Sequence, residues 1–247
     1  MFSRLVLGLI AGPAFFLALA SGAGADSVMP KPKAVVELFT SQGCAQCPPA
    51  DALLTSLAER GDVVALAYHV DYWDYIGWAD TFGSKLFSDR QRGYAKSWGS
   101  SRIYTPQMVV NGAEGVVGSK REAVQDALAS AQLPLDVGLR RQGDMLAVQV
   151  PADDSLPDAN IWLVRYLVRA DVGIEAGENA GKNMVYTQVV TDRQILGMWE
   201  ASTGAEIKLP LTGLQGSEQG NTGLAIIVQN ERNGLPGPIL GAAVYEF

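Results

Sequence analysis

Cys44-Ala45-Gln46-Cys47-Pro48 follows directly on an apolar run, Ala34 to Thr40, and leads directly into a helical pattern, so the chain's only two cysteines sit at a strand-turn-helix junction. Two intervening residues let the sulfurs bond to each other or share a metal. A chain of 247 residues, 48% hydrophobic, builds its core without needing one short staple. A disulfide closing so small a loop also constrains the unfolded chain little. Redox or metal chemistry is therefore the leading reading of the pair, and a short inert disulfide is the remaining one.

The compartment bears on that choice. Met1 to Ala25 carries one early cation, Arg4, then an apolar stretch from Leu5 to Ala20, then small residues at Ala23-Gly24-Ala25, which is the pattern of a secretory signal peptide. The stretch is shorter than the ~20 residues a spanning helix needs, and no later segment is long and apolar enough to span. The expectation is a soluble bacterial protein, periplasmic or secreted, without stable membrane insertion after cleavage, in a compartment where disulfides persist. Losing Arg4 with the leader takes the formal net charge from −7 to −8, which argues against nucleic acid or anionic lipid as partners.

From Lys33 the chain alternates strand and helix signals. Ala34 to Thr40 is rich in strand formers, Ser41-Gln42-Gly43 reads as a turn, and Pro48-Pro49 suits the first turn of a helix whose apolar face is Leu53, Leu54, Leu57 and Ala58 and which stops at Gly61. Cys44 then lies at a helix N-terminus, where the dipole and free amides favour a thiolate, and Cys47 is the less exposed partner. A second strand, Val63 to Val70, follows closely enough to run parallel to the first, so His69 and the segment Asp71 to Asp74 emerge at the cysteine edge. Phe82 to Trp98 reads as helix, Ile103 to Gly112 as a strand opened by Pro106 and closed by an Asn-Gly turn, Glu114 to Gly118 as its partner, and Lys120 to Ala131 as a closing helix.

Motif and element order together resemble the thioredoxin fold, over about residues 33 to 132. The resemblance implies that Cys44 is the attacking thiolate and Cys47 the resolving thiol, that Pro106 is a cis-proline, and that Thr105 presents its backbone to an extended substrate. It also places Glu37 near the buried acid that moves protons for the inner cysteine, the other reading being a solvated or ion-paired strand carboxylate. More narrowly, Glu37-Leu38-Phe39-Thr40-Ser41-Gln42-Gly43-Cys44 and His69-Val70-Asp71-Tyr72-Trp73-Asp74-Tyr75 resemble a bacterial exported thioredoxin-like family of unassigned function. The chain departs from the ordinary pattern in having Gly43 before the first cysteine and Ala45-Gln46 between the two. Since that pair tunes thiolate stability, the direction of electron flow is not inherited.

His69 is the only histidine. It reads either as a hydrogen-bonded structural group, as a proton donor near Cys44, or as a third ligand completing a copper(I) site with the two sulfurs. Tyr72, Trp73, Tyr75 and Trp78 form core or a shield over the site, with Tyr72 and Trp73 as a peptide-docking platform in the sharper reading. Asp71, Asp74 and Asp80 read as turn and capping groups.

Beyond Pro134 the signals become nearly all strand: Val137 to Arg141, Met145 to Val150, Ile161 to Val168, Met184 to Thr191, Ala205 to Leu211, Leu224 to Gln229 and Ile239 to Phe247. The expected fold class is a thioredoxin-like α/β domain (33–132) followed by an all-β domain (135–247), the latter an immunoglobulin-like sandwich or an extension of the first sheet. The expected function is thiol-disulfide oxidoreduction on protein thiols or disulfides, without an organic or metal cofactor, with a redox partner that resets the pair. A copper(I) chaperone and a non-enzymatic binding protein are the alternatives.

Overall fold

The computed structural model describes residues 31–214 and 221–247. The expected signal peptide at 1–25 lies outside the described residues. Eleven strands and three α-helices follow one another as β1 (Ala34–Thr40), α1 (Pro48–Ala58), β2 (Val63–His69), α2 (Lys85–Ser97), β3 (Gln107–Val110), β4 (Glu114–Val117), α3 (Arg121–Ala129), β5 (Gly138–Gln142), β6 (Met145–Val150), β7 (Ala159–Gly173), β8 (Asn183–Trp199), β9 (Ala205–Pro210), β10 (Thr222–Arg232) and β11 (Leu235–Glu246). Among the described residues no helix is long and apolar enough to cross a membrane.

Eight strands form one mixed sheet in the order β11-β10-β7-β8-β2-β1-β3-β4, and β5, β6 and β9 form a second, three-stranded sheet. The strands β1 and β2 are buried at every position because helices cover both faces. They run parallel, with Thr40 opposite His69, and β3 pairs antiparallel on the other side of β1 with Phe39 opposite Gln107. One face of the sheet packs on α1 and α3 through Val36, Leu38, Leu53, Leu54 and Met108. The other face packs on α2 through Val35, Phe39, Tyr68, Phe87 and Tyr94, and the same cluster runs on into β7, β10 and β11. The three-stranded sheet closes the remaining face of those later strands around Leu146, Val148, Leu163, Ile226 and Trp199.

This arrangement overturns the expected fold class. The described residues are mostly β, with 46% strand against 18% helix, and they do not form an α/β thioredoxin-like domain followed by a separate all-β domain. The strand β8 lies beside β2, meeting it in parallel at Ala67 and Val189, and carries β7, β10 and β11 into the same sheet as β1. The physical reason is visible in β10, which is buried continuously from Thr222 to Asn230. A sandwich strand buries one side only, whereas this run needs cover on two, which α2 and the three-stranded sheet supply. β7 and β8 also run far past their expected limits, to 15 and 17 residues, and the hairpin tip they carry reaches the cysteine turn.

Candidate active site

Cys44 and Cys47 are joined by a disulfide where β1 gives way to α1. Cys47 is the N-cap of α1, Pro48 and Pro49 occupy its first turn, where no amide partner is lost, and Cys44 precedes the helix by one turn, its carbonyl accepting from the Cys47 amide. Both cysteines are buried, Cys44 at 1% exposure as well as Cys47 at 0%, while Ala45 and Gln46 between them are exposed. The expected difference in exposure between the two is therefore absent.

The cover over Cys44 comes from the tip of the β7–β8 hairpin. Asn179, itself buried, donates its side-chain amide to the carbonyls of Gln42 at 2.8 Å and Cys44 at 3.1 Å, and Lys182 Nζ holds the Asn179 Oδ1 at 2.8 Å. The Glu178 carboxylate accepts from the Ala45 amide at 3.3 Å. On the other side, a Cβ at Gly43 would lie only 3.3 Å from Trp73 Cβ and 3.2 Å from Ile76 Cδ1, so the turn is closely walled.

Beneath the disulfide, on the α1 face of the sheet, lie three ionisable side chains. Asp51, one helical turn beyond Cys47, donates its amide to the Cys47 carbonyl at 3.1 Å, accepts from Thr40 Oγ1 at 2.8 Å through Oδ1, and leaves Oδ2 buried without a partner. Burial pushes its carboxyl up to about 7, against the opposing pull of His69 and the Thr40 hydrogen bond. His69, opposite Thr40 in register, bonds through Nδ1 to Asp80 at 2.8 Å and leaves Nε2 buried and unpartnered, its ring edge-on to Phe82 and Tyr186. Asp80 also accepts the Gln42 amide at 2.7 Å and the Phe82 amide at 2.9 Å. Burial works against its charge, but His69 and these amides outweigh it and hold the carboxyl below the ordinary range.

Thr105 and Pro106 precede β3, whose register with β1 sets them beside the end of β1, and the bond between them is cis. Trp73 Nε1 donates to Thr105 Oγ1 at 2.7 Å, so one side chain lies between the cysteine turn, which its Cβ walls, and the Thr105 segment, which its indole holds. Tyr75, 81% exposed, stacks on Trp73. Tyr72 donates to Gln91 Oε1 at 3.1 Å, and Gln91 in turn donates to the Tyr104 carbonyl at 2.7 Å.

Glu37 is a correction. Its neighbours Val36 and Leu38 pack under α1, so Glu37 points to the opposite face, where Arg90 grips both carboxylate oxygens at 2.7–2.9 Å and Tyr94 Oη donates to it. It does not lie with the cysteine pair. The acid that does is Asp51, and its signal in the sequence is the four-residue spacing from Cys47 on a helix otherwise apolar on that side. Asp80 is a capping group as expected, but one that also fixes His69. Asn179 carries no local signal, since its partners lie 135 and 137 residues away. Among the described residues no group of three His, Cys, Asp or Glu side chains is arranged to hold a metal ion, and His69 Nδ1 is held by Asp80.

A family model described as a protein of unknown function, DUF1223, matches residues 35–229. An X-ray structure of a protein from Agrobacterium tumefaciens is similar at 36% identity and a TM-score of 0.78, over 87% of this chain and 95% of that one. HBP35 of Porphyromonas gingivalis shares the fold at 15% identity and a TM-score of 0.59, over 88% of this chain and 76% of that one. No curated protein matches the chain.

Proposed function

We propose that this chain, which belongs to the DUF1223 family of unknown function, is an exported thiol-disulfide oxidoreductase, periplasmic or secreted, that works through Cys44 and Cys47. The observation that carries the reading is the Cys44–Cys47 disulfide at the start of α1, set one turn from a buried carboxyl whose pKa is about 7. A group titrating near neutrality can both give and take a proton there. The strand, cysteine turn and helix resemble the redox motif of the thioredoxin-like superfamily, and that local resemblance supports the same chemistry.

In the oxidising direction a partner thiolate attacks Cys44 Sγ, forming a mixed disulfide and breaking the Cys44–Cys47 bond. The electron pair leaves on Cys47 Sγ, which takes the Asp51 proton. The partner's second thiolate then attacks its own sulfur in the mixed disulfide and releases Cys44 as a thiolate, so the partner leaves as a disulfide and the pair is reduced by two electrons. The reducing direction is the same path reversed, and a second thiol or disulfide partner resets the pair. Trp73, with Thr105 and Pro106 beside it, forms the wall along which a partner segment docks.

The test is the reduction potential of the pair in the mature protein, set by equilibration in glutathione buffers containing a chelator, together with capture of partners by Cys47→Ser. A reversible two-electron transition supports the proposal, and its value assigns direction: about −120 mV marks an oxidant and about −270 mV a reductant. A pair that stays oxidised across the whole range, with no mixed disulfide on the variant, ends it.

A further inference from the structure

On the face of the sheet away from the cysteine pair, α2 and the turn between β10 and β11 enclose a cleft of about 370 Å³. Its inner end is built by two guanidinium groups from different elements, Arg90 of α2 and Arg193 of β8, whose side chains are 6% and 15% exposed. They share one acceptor: Gln229 Oε1 receives Arg90 Nη2 at 3.0 Å and Arg193 Nη2 at 3.2 Å. Arg90 spends Nε and Nη2 on Glu37 and Tyr94, but its Nη1 has no hydrogen-bond partner among the described residues.

Arg193 is still less satisfied. A guanidinium has five N–H donors, and this one makes a single hydrogen bond, through Nη2 to Gln229. The Glu231 carboxylate stands 3.7 Å off, beyond hydrogen-bond reach, because Trp162 Nε1 and Asn160 Nδ2 hold it at 3.1 Å each. The guanidinium sits over Trp162, its carbon 3.2 Å from the ring centre, a cation–π contact that holds it in the cleft. Burial and the facing charge of Arg90 bring its pKa down to about 10. The rim adds two more cations from α2: Arg92, which pairs with Asp89 at 2.9 Å, and Lys96, which has no ion pair among the described residues.

We propose that this cleft is a binding site for a small oxyanion, a carboxylate or phosphate group, taken by the free donors of Arg193 and Arg90. Two part-buried guanidiniums with spare, planar donors match the paired oxygens of such a group. Glu37 already balances Arg90, so a bound anion chiefly answers Arg193, which the Glu231 carboxylate faces only at 3.7 Å. The cleft is cationic in a chain whose net charge is −7, so the attraction is local to it.

The experiment titrates the mature protein by calorimetry and thermal unfolding with sodium phosphate and with sodium succinate, against sodium chloride at matched ionic strength. It compares the wild type with Arg193→Gln, with Lys96→Gln on the exposed rim, and with Lys208→Gln as a distant control. The expected result is saturable binding of at least one of the two anions, weakened about tenfold or more by Arg193→Gln, several-fold by Lys96→Gln and not at all by Lys208→Gln. Saturation by phosphate alone assigns a phosphorylated ligand, and by succinate alone a carboxylic acid. No saturable response to either anion beyond that of chloride overturns the proposal. So does binding that both cleft variants leave unchanged. If Arg193→Gln does not fold, the Lys96→Gln titration decides.

Discussion

Asn179 donates its side-chain amide to the backbone carbonyl of Cys44 at 3.1 Å, across 135 residues of sequence. With the Gln42 bond from the same amide, it pins the cysteine turn under the tip of the β7–β8 hairpin, and the disulfide beneath is buried. Under the proposed function, that tip is the element that would control access of a partner sulfur to Cys44.

Replacing Asn179 with Ala removes both bonds and leaves two carbonyls to water. The Cys44–Cys47 disulfide is expected to be reduced by dithiothreitol several-fold faster, read by alkylation and mass shift over time, with a stability loss of about 1–2 kcal/mol in denaturant unfolding. Unchanged reduction kinetics would mean that the hairpin tip does not control access.

Asp51 sets a pH dependence whose sign follows from its raised pKa. The folded carboxyl protonates at about 7 and an ordinary aspartate at 3.8, so between those values the native state holds a proton that the unfolded chain has released. Stability therefore falls as pH rises through that window, by on the order of 4 kcal/mol from this group. Asp51→Asn removes the term. The gap between variant and wild type in urea unfolding is expected to change steadily from pH 4 to pH 7, and parallel curves contradict the assignment.

Glu37→Gln separates structure from chemistry. The loss of a buried carboxylate leaves Arg90 beside Arg193 with its charge unopposed, at a cost of about 3–5 kcal/mol. In the variant that still folds, alkylation of reduced Cys44 is expected to follow the wild-type rate and pH profile. A shifted profile would return Glu37 to the cysteine pair.

Gly112 ties the β3–β4 hairpin to β11. Its φ of +66° disfavours a side chain, and a Cβ there would lie 2.2 Å from the Gly237 carbonyl oxygen. Gly112→Ala is expected to lose at least about 3 kcal/mol in equilibrium unfolding, since both the turn and the close approach must distort. A loss under about 1 kcal/mol would show that the contact relaxes freely.

The parts of the molecule that were legible in the sequence are those written locally. The apolar run of β1, the paired prolines of α1, the stop at Gly61 and the Asn111-Gly112 turn each announce an element through its own residues. Glu37 was misplaced for a reason equally physical: β1 is buried at every position, so no polar alternation says which face a given side chain takes. The union of the later strands with β2 rests on a brief parallel ladder with no motif of its own. Asp51 was legible only in retrospect, because an acid early in a helix reads first as a favourable charge at the dipole. Asn179 and Gln229 act across more than 130 residues, and nothing near either position announces the partner.

The reach of the β7–β8 hairpin has a consequence for the order in which the molecule is assembled. A nascent chain emerges from its N-terminus, so the cysteine turn is made long before residues 174–182 exist to cover it. Until that late segment docks, the carbonyls of Gln42 and Cys44 lack the amide that holds them in the finished fold. The first turn of the chain to form around the site is thus the last to be fixed, by residues made more than 130 positions later.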